Sequence, residues 1–167
     1  MNFQFYVEKL FDSDVFQKFI KENKDAYPCG GFFVIDLENL KNPDNKNQID
    51  YFVPSINKMF SFQLEQGVKI TPVENLGETP KKIAMNYNIE FEDIEELILT
   101  KMKEEKINKN IQKILLSIQN KDNKDFFVGT VFTSGMNMLK IILDISEKKI
   151  TEFANHSFLD MMKVLKR

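Results

Sequence analysis

The feature that most constrains this chain is a segment written twice. Lys58 to Asn75 reads KMFSFQLEQGVKITPVEN, and Asn137 to Asn155 reads NMLKIILDISEKKITEFAN. With one residue of slack at the turn, Met59 matches Met138, while Phe60, Phe62 and Leu64 match Leu139, Ile141 and Leu143. An acid follows, Glu65 or Asp144, and after the turn each copy resumes with Lys-Ile-Thr. Apolar residues at every second position predict a strand with one buried face. Each copy therefore reads as a β-hairpin, and an amphipathic helix precedes each one at a distance. The spacing predicts an α+β chain of two α-β-β-β repeats, with antiparallel sheets packed on helices.

The remaining elements follow from the same reasoning. Phe3 to Val7 fits either an opening strand or the lead-in to a helix. Asp12-Ser13-Asp14 supplies N-cap residues for a helix whose apolar face is Val15, Phe16, Phe19 and Ile20. Tyr27-Pro28-Cys29-Gly30-Gly31 reads as a turn by composition, and Phe32 to Leu37 as a buried strand. Asn39 to Gln48 is a polar loop, and Ile49 to Val53 a strand stopped by Pro54. In the second half, a helix starting at Glu92 or Asp93 presents Ile94, Leu97, Ile98, Lys101 and Met102. Ile107, Ile111, Ile114, Leu115 and Ile118 continue that face, and a break at Ile107 to Asn110 stays open. Strands are expected at Phe126 to Phe132, Met138 to Ile145 and Ile150 to Phe153. Phe32 to Val34 and Phe126 to Val128 then read as matching first strands. A capping box at Ser157 to Asp160 starts a C-terminal helix burying Phe158, Met162 and Leu165.

On this reading residues 1–78 form the first unit and 79–167 the second, with the C-terminal helix. One such unit is too small to bury its own helix and sheet well, so a shared core is one arrangement and two small domains the other. The hydrophobic fraction is 43% and includes 16 Phe but no Trp, so Phe is the expected core filler. No apolar run approaches the ~20 residues needed to span a bilayer. The N-terminus lacks a basic leader, and Cys29, the single cysteine, permits no internal disulfide. A cytoplasmic protein is the expectation.

Composition also excludes function classes. The net charge is −2, and Arg167 is the sole arginine among 23 basic residues. Phosphate and nucleic-acid recognition favour the planar guanidinium, so neither is expected. Lys101, Lys103, Lys106 and Lys109 are interleaved with Glu104 and Glu105, as on a solvated helix face. Glu90, Glu92, Asp93, Glu95 and Glu96 crowd one helix start, where the dipole favours acids. Asp44 to Asp50 carries Lys46 at a would-be ligand position and lacks the central Gly and final Glu of a calcium loop. One Cys and one His cannot build a structural zinc site. No cofactor or metal is expected.

Cys29 is the sharpest catalytic candidate, a thiol on a glycine-flanked segment that would need His156, the only histidine, beside it. A small buried thiol explains it more simply. No catalytic residue is assigned, and the chain is expected not to be an enzyme.

Phe126-Phe127-Val128, Leu139 to Asp144 and Ile145-Ser146-Glu147-Lys148-Lys149-Ile150 resemble the PepSY family of cystatin-like domains. That family's last element commonly reads Val-Asp, two residues, Gly-Lys-Val. Glu147 or Lys148 stands here where the Gly would be. The resemblance covers about Asp93 to Phe153 and reaches the first half only through its likeness to the second. It implies a non-catalytic domain that binds or restrains peptidases, found outside the cytoplasm or attached to membranes. Together these readings point to a protein- or peptide-binding module that uses sheet edges, including association with a second copy of itself. The alternative is a small-molecule carrier or enzyme with a pocket between curved sheet and helix, where Thr130 and Thr133 would face inward.

Overall fold

The computed structural model describes residues 2–74 and 77–157. The first half runs α1 (Phe3–Phe11), α2 (Asp14–Glu22), then strands β1 (Tyr27–Asp36), β2 (Lys46–Val53), β3 (Lys58–Gln63) and β4 (Lys69–Val73). The second runs α3 (Phe91–Glu104), then β5 (Ile111–Lys121), β6 (Lys124–Thr133), β7 (Asn137–Asp144) and β8 (Lys149–Ser157). All eight strands form one antiparallel sheet in the order β4-β3-β2-β1-β5-β6-β7-β8. Each half is thus a meander, and the two meet where β1 pairs with β5, from Gly31 opposite Ile118 to Asp36 opposite Lys113.

One open alternative is resolved here, and several expectations are corrected. Phe3 to Val7, left open between a strand and the lead-in to a helix, opens helix α1, capped by Asn2, whose side chain accepts from the Gln4 amide. The helix expected to continue through Ile118 ends instead at Glu104. Lys106 follows in the left-handed region at φ 56°, and Ile111–Lys121 is strand β5. There Ile114, Leu116 and Ile118 are buried at every second position. A dense run of isoleucine satisfies helical and strand spacing alike, and β-branching favours the strand. The second half consequently has four strands rather than three, and Phe126 to Val128 lies in β6, its second strand, so it does not match Phe32 to Val34 as a first strand.

The supposed turn at Tyr27 to Gly31 also lies within β1. Pro28 is tolerated because pairing with β5 begins at Gly31 and the β2 register shifts between Pro28 and Gly30. Gly31 is there for close approach: a Cβ would lie 2.9 Å from the Gln48 carbonyl oxygen and 3.0 Å from Ile118 Cγ2. The expected C-terminal helix and its capping box from Ser157 fall almost wholly outside the described residues.

All three helices pack on one face of the sheet. Phe3 meets Phe33 and Phe127 at ring distances of 5.7 and 6.4 Å, and Phe16 and Phe19 meet Phe62 at 5.4 and 5.1 Å. Phe91 at the start of α3 meets Phe33 at 5.3 Å. The buried side chains of both halves form one cluster, with Phe3, Phe33, Ile114 and Phe127 at its centre under the β1–β5 seam. Residues 77–90 tie the halves together at one end of the strands. Ile83 donates its amide to the Pro28 carbonyl and is buried, and the Ala84 amide and the Tyr87 hydroxyl both donate to Asp125.

Candidate functional site: an open sheet edge

The two outer strands differ in ways the sequence dictates. β4 is a five-residue strand containing Pro72, opposite Phe60. Proline has no amide hydrogen and blocks a further strand, and short edges also resist pairing. β8 is nine residues, carries no proline, and pairs with β7 from Lys149 opposite Asp144 to Ser157 opposite Asn137. Among the described residues nothing pairs with its other side. The register shifts between Ile142 and Leu143, so Leu143 faces Ile150 and Ile142 faces Glu152. Beyond this bulge Phe153 packs on the helix side against the core, while Glu152, Ala154 and His156 lie on the face without helices. Thr151, Glu152, Ala154 and Asn155 are exposed.

The helix-free face carries a shallow groove beside this edge, about 660 Å³ in volume, lined by Val128, Thr130, Lys140, Ile142, Glu152 and Ala154. Thr130 therefore does not point under the helices as one reading expected. Thr133 does lie on the buried side, but its hydroxyl donates to the Asn137 carbonyl at 3.4 Å rather than lining a cavity. The space between sheet and helices is filled by side chains such as Phe3, Phe33 and Phe62, all with no exposed surface.

The sequence-derived catalytic pair is not assembled. Cys29 sits in β1 and His156 in β8, with β5, β6 and β7 between them. Four strand spacings of about 4.8 Å put the two strands roughly 19 Å apart. The Cys29 sulfur lies 3.5 Å from the Asp50 carbonyl oxygen. Burial, reinforced by the Asp50 charge, pushes its thiol up to about 12. It stays protonated at neutral pH and is a poor nucleophile.

Several carboxylates missed as structural groups hold the sheet ends and face. Asp36, 3% exposed, accepts from the amides of Glu38, Asn39 and Asp44, and from the Asn39 side chain. The Asp44 amide leads the donors that pull its carboxyl down to about 2. Asp50 accepts from the Ser61 hydroxyl and from Gln48 Nε2, yet burial raises its pKa. Asp125 takes Ala84 N at 2.7 Å, Tyr87 Oη at 2.8 Å and Asn120 Nδ2 at 2.6 Å. Every one of these acids is used in local hydrogen bonding. The signal for Asp36 was its place just before a polar loop rich in Asn, where a carboxylate caps free amides.

Asp44 and Lys46 of the rejected calcium loop form an exposed ion pair at 2.8 Å. Among the described residues no group of three His, Cys, Asp or Glu side chains could hold a metal ion, and no helix is long and apolar enough to cross a membrane.

No family model matches the chain, and no curated protein matches it. One solved structure is similar in fold: the crystal structure of a protein described as a "putative lipoprotein" from Clostridium difficile 630. It is 13% identical, with a TM-score of 0.58, over 86% of this chain and 91% of that one. At that identity the likeness is one of fold.

Proposed function

We propose that this protein is a non-catalytic binding module that takes up an extended segment of another polypeptide along β8. The observation that carries the reading is the contrast between the two edges: β4 is short and carries Pro72, whereas β8 offers nine residues of strand whose outer side is unpaired among the described residues. Strand addition draws affinity from main-chain hydrogen bonds and specificity from alternate side chains. The groove next to β8 gives the outward side chains of such a segment somewhere to lie. Cytoplasmic placement of this binding rests on the lone Cys29.

The duplication belongs with this proposal. The two written copies occupy β3–β4 and β7–β8, the outermost hairpin of each half, with Phe62 and Leu64 and their counterparts Ile141 and Leu143 all buried. The PepSY-like turn has support of the same kind. Lys148, one of the two positions where the family's glycine would fall, sits at φ 48°, and Asp144 accepts the Glu147 amide at 3.0 Å. That resemblance makes a peptidase one partner to test.

The test is selection from a library of extended peptides, followed by two single-edge variants. Asn155→Lys on β8 should abolish capture, and Ile70→Lys on β4 should leave it intact. Equal loss from both variants, or enriched peptides without a period of two, would reject the edge. The groove itself favours the second reading, a carrier of a small apolar ligand. A ligand retained through purification and lost on Val128→Lys would support that instead.

A further inference from the structure

We propose that the segment received by β8 is β8 of a second copy, so that two eight-stranded sheets join into one across a two-fold axis at Ala154. This rests on the edge reading above and names its partner. A two-fold antiparallel pairing that keeps both helix layers on the same side must place one residue opposite itself. The strand offers few such registers. Centring on Glu152 sets two carboxylates against each other. Centring on Thr151 or Asn155 shortens the ladder, because β8 ends at Lys149 and Ser157. Centring on Phe153 sets the two Phe rings together but leaves Glu152 facing Ala154.

Centring on Ala154 does better. Ala154, exposed and the smallest side chain of the strand, falls at the axis, where it leaves room for the close approach. Glu152 then lies opposite His156 of the second copy, twice by symmetry, on the helix-free face. Lys140 of each copy, paired with Ala154 in the register of β7, lies diagonally from its own chain's Glu152. On the helix side Phe153 lies opposite Asn155, whose side chain already accepts from Asn137 Nδ2 at 2.7 Å. An imidazole N–H directly across antiparallel strands can donate to a carboxylate, whereas two carboxylates there repel. The β1–β5 seam already joins the two halves of each chain by antiparallel edge pairing, and the dimer repeats that geometry between chains.

Sedimentation of the full chain, with cysteine cross-linking, tests this. The expected result is a dimer at micromolar concentration. Glu152→Lys and His156→Glu should each weaken it roughly tenfold, and combining them in one chain should restore it. In a Cys29→Ser background, Ala154→Cys should form an inter-chain disulfide under mild oxidation. Directly opposed Cα atoms about 5 Å apart suit that bond. Efficient cross-linking through Phe153→Cys with none through Ala154→Cys would overturn the register. A monomer at high micromolar concentration would overturn the proposal. If that monomer still captured extended peptides through β8, the edge reading would survive; if it captured none, both would fall.

Discussion

The two outer hairpins have similar sequences, stand at opposite ends of the sheet, and are finished differently. Under β3–β4 the helix layer is aromatic: Phe16 and Phe19 of α2 close on Phe60, Phe62 and Tyr51 at ring distances of 5.1 to 6.2 Å. Beneath β7–β8 the buried side chains are aliphatic, Leu139, Ile141 and Leu143, with Phe153 at the margin. One hairpin ends in a short strand carrying Pro72, and the other in a nine-residue strand, free of proline, whose outer side is open among the described residues. Similar hairpins thus end the sheet differently.

The first way to break that comparison is through the cores. Phe62→Ala should cost about 3–5 kcal/mol, since three aromatic neighbours, Phe16, Phe19 and Tyr51, lose their partner. The aliphatic side should be more sensitive to added volume. A Cβ at Gly129 would lie 2.6 Å from Ile141 Cγ1, so Gly129→Ala should cost about 1–3 kcal/mol in chemical denaturation. A neutral result there would mean that the β6–β7 face is loosely packed.

Smaller effects sharpen the contrast. Ser13 caps α2 by accepting the Phe16 amide at 3.2 Å, and Ser13→Ala should lower stability by about 1 kcal/mol. Lys148 holds a left-handed backbone at the β7–β8 turn, so Lys148→Gly should stabilise the protein by up to about 1 kcal/mol. Its contact with Asp93 at 4.0 Å is exposed and adds little against that gain.

Acid should act first through the β1–β2 end. The folded pKa of Asp36 lies near 2, below its unfolded value, so its contribution is present above ~4 and lost as pH falls toward 2. Asp50 has the opposite sign: its raised pKa favours the protonated, folded form, and stability is lost as pH rises through that value. Asp36→Asn should flatten the acid limb of a melting-temperature profile, whereas an unchanged limb would locate acid sensitivity elsewhere. Cys29→Ser should change least and leave peptide capture intact.

Much of the fold was legible because period-two alternation has one meaning when the residues between are polar, as in Phe60 to Leu64 and Leu139 to Leu143. It failed at Ile111 to Ile118, where apolar residues fit both spacings and only pairing with β1 decides. It failed again at Tyr27 to Gly31, where proline and glycine mean a turn unless a neighbouring strand needs a missing side chain. The candidate site was legible only as a class. That β4 would be the blocked edge could be read from Pro72, but which strand stood outermost required the sheet order.

Amide hydrogen exchange, compared at low and high protein concentration, tests the asymmetry of the edges most directly. An occupied β8 should gain protection at alternate residues from Thr151 to Ser157 as concentration rises, while Lys69 to Val73 exchanges at the same rate throughout. Protection gained by β4, or by neither edge, would contradict the assignment of β8 as the binding strand.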